Sequence, residues 1–160
     1  MSSLGSPSVE VVVNDRAITG ESPMWSAREG ALYWLDTRVP RIYRLHVASG
    51  KRDSWDPPGK VNALGLKRGG LVCAMKNGIW YLDTATGAFE AVNDPEANVP
   101  DSRANDGKTD RGGRFWFSSM KTTARRRPVC CTVSIPIAAC TRWITAFPCR
   151  TASVGAPTTA

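Results

Sequence analysis

Residues 30–92 of this chain repeat themselves. Ile42 and Ile79 lie 37 residues apart, as do Gly50 and Gly87. Gly30 precedes Gly70 by 40 residues, and Gly70 precedes Gly113 by 43. Gly30 to Asp36 reads as an aromatic strand leaving a glycine turn. Ile42 to Val47 reads as the next strand, Ala48 to Lys51 as a turn and Arg52 to Trp55 as a return. The same order recurs in Gly70 to Met75, Ile79 to Asp83, Ala85 to Ala88 and Phe89 to Val92, and Gly113 to Phe117 opens a third unit. Short aromatic strands with glycine turns at a period of about 40 residues match the four-stranded blade of a β-propeller. A β-sandwich of short strands is the alternative that the pattern leaves open. No segment shows sustained helical periodicity. Asp56 to Gly59 and Asn93 to Pro100 read as loops, punctuated by proline and glycine.

The net charge of +7 on 160 residues invites a nucleic-acid reading, which its distribution opposes. All 14 acidic residues lie between Glu10 and Asp110. That stretch also holds 13 of the 21 basic residues, so its net charge is −1. The basicity belongs to the tail, where Arg125 to Arg127 is the one cluster and no aromatic interleaving follows it. No apolar run is long enough to span a membrane, and Met1 to Val13 lacks the regions of a signal peptide. The expectations are no nucleic-acid partner, no membrane partner and a cytoplasmic location. Cys73 stands alone in the first 120 residues, while Cys130, Cys131, Cys140 and Cys149 crowd the end without a C-x-x-C pair. With His46 as the sole histidine, neither a zinc site nor a disulfide framework is supported.

Two motifs could carry chemistry. In Gly20-Glu21-Ser22-Pro23-Met24-Trp25, a carboxylate beside a turn could face a central channel and bind a hard cation; the plain alternative is an exposed loop glutamate. In Arg103-Ala104-Asn105-Asp106-Gly107-Lys108, arginine and asparagine two apart on an extended chain point the same way. Together they could bind a carboxylate or carbonyl oxygen and a row of hydroxyls; the alternative is a solvated turn. An EF-hand loop is excluded, because with Gly107 at the sixth place the first and third fall on Ser102 and Ala104. Trp25, Trp34, Trp80 and Trp116 read as packing between blades rather than as a sugar platform. His46 reads as an ordinary strand residue whose counterpart is Asp83. Ser118 and Ser119 have no nearby histidine to make a hydrolytic triad.

The opening G-E-S-P-x-W, the R-x-N-D-G-K loop and G-R-x-W-F-x-S-M after it resemble, in order and spacing, the regucalcin/gluconolactonase family over residues 20–120. The resemblance implies an all-β fold, the N-terminal part of a six-bladed β-propeller. It implies one divalent metal ion (Ca, Zn, Mn or Mg) at the top of the central channel, with Glu21 as a ligand. It implies Arg103 and Asn105 as contacts to a sugar lactone, which the metal-polarised carbonyl exposes to hydrolysis to an aldonic acid. The family's asparagine ligand and the aspartate that serves as ligand and base lie beyond the matched region. A calcium-binding regulatory propeller without turnover is the competing reading, and a non-functional gene product a third.

From about Arg127 the blade pattern stops, and Ala, Thr, Pro, Arg and Cys dominate. Reading each pair of residues one base out of frame gives a different picture. Cys130–Cys131 then forces leucine and Trp143–Ile144 forces aspartate. The steps from Cys130 to Ile137 allow L-Y-R-F-D-P-D, and those after Cys149 allow the family's P-N-G-x-x-W-S-P-D, which contains the asparagine ligand. The chain therefore divides into an N-terminal segment 1–19, a partial propeller 20–126 truncated after the start of its third blade, and an aberrant, frame-shifted tail 127–160 expected to be disordered. On this reading the truncated chain is inactive.

Overall fold

The computed structural model describes residues 8–99, 101–122, 131–136 and 145–148, the last two segments by backbone alone. The described residues form twelve strands in three antiparallel sheets. The first sheet is β1 (Gly20–Ser26), β2 (Ala31–Asp36), β3 (Arg41–His46) and β4 (Arg52–Trp55), in that spatial order. The second is β5 (Val61–Lys67), β6 (Gly70–Met75), β7 (Gly78–Asp83) and β8 (Phe89–Asn93). The third is β9 (Ser102–Thr109), β10 (Arg114–Lys121), β11 (Cys131–Pro136) and β12 (Thr145–Pro148). Each is a four-stranded meander. The first strands lie together, β5 packing against both β1 and β9. These are propeller blades, the sandwich alternative is set aside, and the chain is the N-terminal part of such a ring.

The repeat is visible in bond lengths. Gly50 N donates to His46 O at 2.8 Å, and Gly87 N donates to Asp83 O at 2.8 Å. His46 N reaches Lys51 O at 2.9 Å, and Asp83 N reaches Ala88 O at 2.9 Å. Gly50 and Gly87 both sit at positive φ, 68° and 78°, which a β-carbon would strain. His46 and Asp83 are therefore counterparts, as the spacing predicts. One marker moves: the turn glycine of the second blade is Gly69, at φ 77°, and Gly70 already belongs to β6.

Alternation in β6 builds the core. Leu71, Cys73 and Met75 pack toward the first blade with Tyr33, Leu35 and Ile42. Val72 and Ala74 pack toward the third with Phe115 and Phe117. All six residues of β6 are buried, so its two faces glue three blades together. Full burial of one such aliphatic side chain stabilises by about 1.5–3 kcal/mol. Burial also pushes the Cys73 thiol up, so it stays protonated and behaves as a small apolar side chain.

The tail contributes more than its sequence pattern suggests. Ile135 pairs with Phe115 and Val133 with Phe117, while Thr132 of β11 pairs with Phe147 of β12. The free edge of β10 is a template for extended chain, and Thr132, Val133 and Ile135 are β-branched. The third sheet is thereby carried to four strands, further than the blade pattern reaches. The rest of segment 127–160, Arg125 to Arg127, Cys130, Cys140 and Cys149 lie outside the described residues.

Candidate functional site

The residues singled out by motif lie on the innermost strands, and each of those strands is bulged. In β1, Glu21 pairs with Leu35 and Met24 with Tyr33, so Ser22 and Pro23 together face Trp34 alone. In β5, Val61 pairs with Met75 and Ala63 with Ala74, leaving Asn62 as an extra residue. In β9, Ala104 pairs with Ser119 and Gly107 with Phe117, so Asn105 and Asp106 face Ser118 alone. A bulge breaks the alternation of a strand and re-aims its side chains. Here all three do so around one cavity of about 440 Å³, lined by Glu21, Asn62, Arg103 and Asn105 together with Arg38 and Lys60.

Local bonds hold these strands in place. Ser22, in the left-handed region at φ 54°, accepts the Leu64 N–H on its Oγ at 3.2 Å and so ties β1 to β5. Asp36, buried at the end of β2, accepts from the backbone of Ile18 at 2.7 Å, Arg38 at 2.8 Å, and Thr19 and Val39 at 3.3 Å. Burial alone would push its carboxyl up; the four N–H donors outweigh that and hold it below the usual carboxylate range. The chain just before Glu21 is thus fixed to the β2–β3 turn. Gly107 explains the glycine of the second motif, since a β-carbon there would lie 2.8 Å from the Trp116 carbonyl and from the Phe115 ring.

Arg103 is half-buried and oriented on three sides. Its Nη1 donates to Asn62 Oδ1 at 3.3 Å and to Ala104 O at 3.0 Å, and its Nη2 lies 3.0 Å from Met120 Sδ. Glu21 and Asn105 are exposed on the same cavity. The structure therefore brings together Glu21, Arg103 and Asn105, and adds Asn62, Lys60 and Arg38. The second motif is a strand, β9, rather than the loop or turn its N-D-G core suggests.

The other candidates lie elsewhere. Trp25 is exposed, so the packing between blades expected for it is not made among the described residues. Trp34 stacks on Tyr43 with ring centroids 5.3 Å apart, Trp80 packs on the core, and Trp116 donates its indole N–H to Asp110. His46 Nε2 sits 3.7 Å from Asp53 Oδ2, away from the cavity. Ser119 is buried and donates to Glu96, and Ser118 donates to the Asp106 carbonyl.

The cavity offers carboxylate and amide oxygens, with no thiol or imidazole in its lining, a donor chemistry that suits a hard cation. It does not complete a site: among the described residues no three Asp, Glu, His or Cys side chains converge. A cation of that kind takes about six to eight oxygens, more than the Glu21 carboxylate on the cavity wall carries.

Residues 19–146 match the family model described as the SMP-30/Gluconolactonase/LRE-like region. The chain belongs to this family. It is 34% identical over 113 residues to the 6-deoxy-6-sulfogluconolactonase of Pseudomonas putida, spanning 70% of this chain and 39% of that one. It is 29% identical over 123 residues to the regucalcin of Xenopus laevis, covering 76% of this chain and 41% of that protein. Among solved structures, a calcium-binding protein, regucalcin, from Agrobacterium tumefaciens superposes with a TM-score of 0.73 at 23% identity, over 86% of this chain and 45% of that one. The chain thus spans about two fifths of the length of the curated relatives it matches.

Proposed function

We propose that the cavity is the lactone site of a sugar-lactone hydrolase. The observation that carries this is the convergence of Glu21, Arg103 and Asn105, from two blades, on one cavity. The names of relatives support it: a 6-deoxy-6-sulfogluconolactonase and an L-arabinolactonase of Azospirillum brasilense are among them. Arg103 is an oriented donor for a carboxylate or carbonyl oxygen, and Asn105 offers a donor and an acceptor to ring hydroxyls. Glu21 would hold a divalent ion with ligands from outside the described residues, and such an ion, when bound, supplies the Lewis acid that polarises a ring carbonyl.

The test is opening of D-glucono-1,5-lactone, with and without divalent ions, by the protein translated with its frame restored after Arg127. Metal-dependent opening supports the reading. Calcium binding with no opening of any sugar lactone overturns it in favour of a regulatory propeller, the role that the calcium-binding neighbour makes the second choice. Residues 1–160 alone should open no lactone, because Glu21 without the family's other two ligands would hold a cation weakly.

A further inference from the structure

Asn62 is only 6% exposed, and its amide is half used. Oδ1 accepts from Arg103 Nη1 at 3.3 Å, whereas Nδ2 is buried with no partner among the described residues. The orientation of the amide is fixed, because turning it over would set two donors against each other. An orphaned buried donor costs about 1–3 kcal/mol, a cost that an oxygen of a bound molecule would offset.

Its position is not accidental. Asn62 is the extra residue at the bulge of β5, as Ser22-Pro23 is at that of β1 and Asn105-Asp106 at that of β9. It follows Glu21 by 41 residues and precedes Asn105 by 43, the blade period. It is thus the second blade's own contribution to the cavity.

The charge around it is unbalanced. Arg38, Lys60 and Arg103 line the cavity with two carboxylates, those of Glu21 and Asp106. None of the three cations forms an ion pair among the described residues. Asp106 spends one oxygen on the Gly107 N–H, which donates to its Oδ1 at 2.7 Å.

From this we infer that Asn62 is a substrate-contacting residue and that, with Lys60, Arg38 and Arg103, it selects a sugar lactone bearing an acidic group, a carboxylate or a sulfonate. The inference rests on the lactone reading for the sugar ring and on the orphan donor and unpaired cations for the acid. Asn62 Nδ2 and Arg103 would donate to the anion, and Lys60 and Arg38 would add charge.

Binding tests this without turnover. The 160-residue chain is titrated by calorimetry with methyl β-D-glucuronide, methyl 6-deoxy-6-sulfo-β-D-glucoside and methyl β-D-glucoside, which differ only at the sixth carbon and cannot open. The two acidic glycosides should bind about tenfold more tightly than the neutral one, the size of one charge-assisted hydrogen bond. Asn62→Asp keeps an oxygen for Arg103 but replaces the free donor with a negative acceptor, so it should abolish the preference while the fold is retained. Lys60→Met, at a half-buried position outside the core, should reduce the preference and its sensitivity to salt. Equal affinity for acidic and neutral glycosides, no binding of any, or an unchanged preference in Asn62→Asp overturns the inference. Because no step needs hydrolysis, the two failures are distinguishable: absence of lactone opening overturns the lactonase reading, whereas loss of the acid preference in binding overturns the selection by Asn62 and the cavity cations.

Discussion

Ser119, buried on β10, donates its hydroxyl to Glu96 Oε1 at 2.7 Å. The other oxygen of that carboxylate accepts from the Ser102 hydroxyl on β9. One loop glutamate therefore clasps the two strands whose pairing presents Arg103 and Asn105. Ser102 and Asn105 belong to the same strand, so release of the clasp reaches the cavity through the backbone.

Glu96→Ala should strand the Ser119 hydroxyl in a buried setting. Leaving such a group unsatisfied costs about 1–3 kcal/mol. We expect a lower midpoint in denaturant together with weaker binding of sugar ligands, and Glu96→Gln should recover most of both, since an amide can still accept one of the two bonds. Equal stability of Glu96→Ala and the parent in urea titration would refute the clasp.

A second prediction concerns acid. Asp36 is held below its ordinary value of 3.8 in the folded protein by four backbone donors, against the effect of its burial. A carboxyl lowered by folding contributes stability that is fully present above its unfolded value and is lost as pH falls through the folded one. The parent should therefore lose stability on acidification below about pH 4 more steeply than Asp36→Asn, which cannot titrate. The difference between the two unfolding curves, measured from pH 6 downward, isolates this group from other carboxylates. Parallel curves would show that Asp36 does not carry the linkage. Asp36→Ala, which leaves the N–H groups of Ile18 and Arg38 without their partner, should cost about 2–4 kcal/mol at neutral pH.

The outer strands of the first two blades were legible because they obey simple rules. Tyr33 and Leu35 alternate with half-buried neighbours on β2, and glycines at positive φ mark the turns. The innermost strands obey none of these. Val61–Lys67 is buried at its first five positions, with asparagine and glycine inside it, so no alternation announces a strand. The Asn105-Asp106-Gly107 run has the composition of a turn, yet tertiary pairing with β10 keeps it extended, and its residues sit at a bulge. Glu21, Arg103 and Asn105 were readable through their motifs. Asn62 and Lys60 carry no local signal; the repeat spacing from Glu21 was the one clue. The pairing of β11 and β12 was not readable, since it depends on the open edge of β10 rather than on the tail's own pattern.

Glu21 carries the third prediction. In the frame-restored protein, Glu21→Gln keeps the shape of the side chain and removes the charge that attracts a divalent cation. Calcium or manganese affinity should fall by about tenfold or more, the worth of a charge-assisted contact. Lactone opening should fall with it, and excess metal should restore part of the loss. Calorimetry showing unchanged metal affinity would remove Glu21 from the ligand set. Arg103→Ala in the same protein should instead leave metal affinity intact and weaken binding of acidic lactones more than of neutral ones.

The last prediction is genetic and follows from the break at Arg127. In the native frame, β9 and β10 keep the family's words up to Met120, and then acidic residues vanish and four cysteines appear. A disordered tail is normally rich in acids or lysine, not cysteine, so loss of order alone does not explain the change. A shift of one base would. The codons of Cys130–Cys131 and Trp143–Ile144 each leave no freedom, and out of frame they give leucine and aspartate. The freer steps between and beyond them spell strand and turn words in the right order, including the asparagine expected as a metal ligand. Insertion or deletion of one base near the codons of Arg125 to Pro128 should therefore open a frame that continues for about three further blades. The protein made from it should unfold cooperatively, because a closed ring leaves few exposed blade faces. The 160-residue chain leaves Trp25 on β1 in solvent, and should unfold less sharply and aggregate more readily. Sequencing of the gene downstream of those codons settles the first part. A shifted frame soon closed by stop codons, or one encoding no glycine-turn strands, would refute the shift and make residues 127–160 the chain's own sequence.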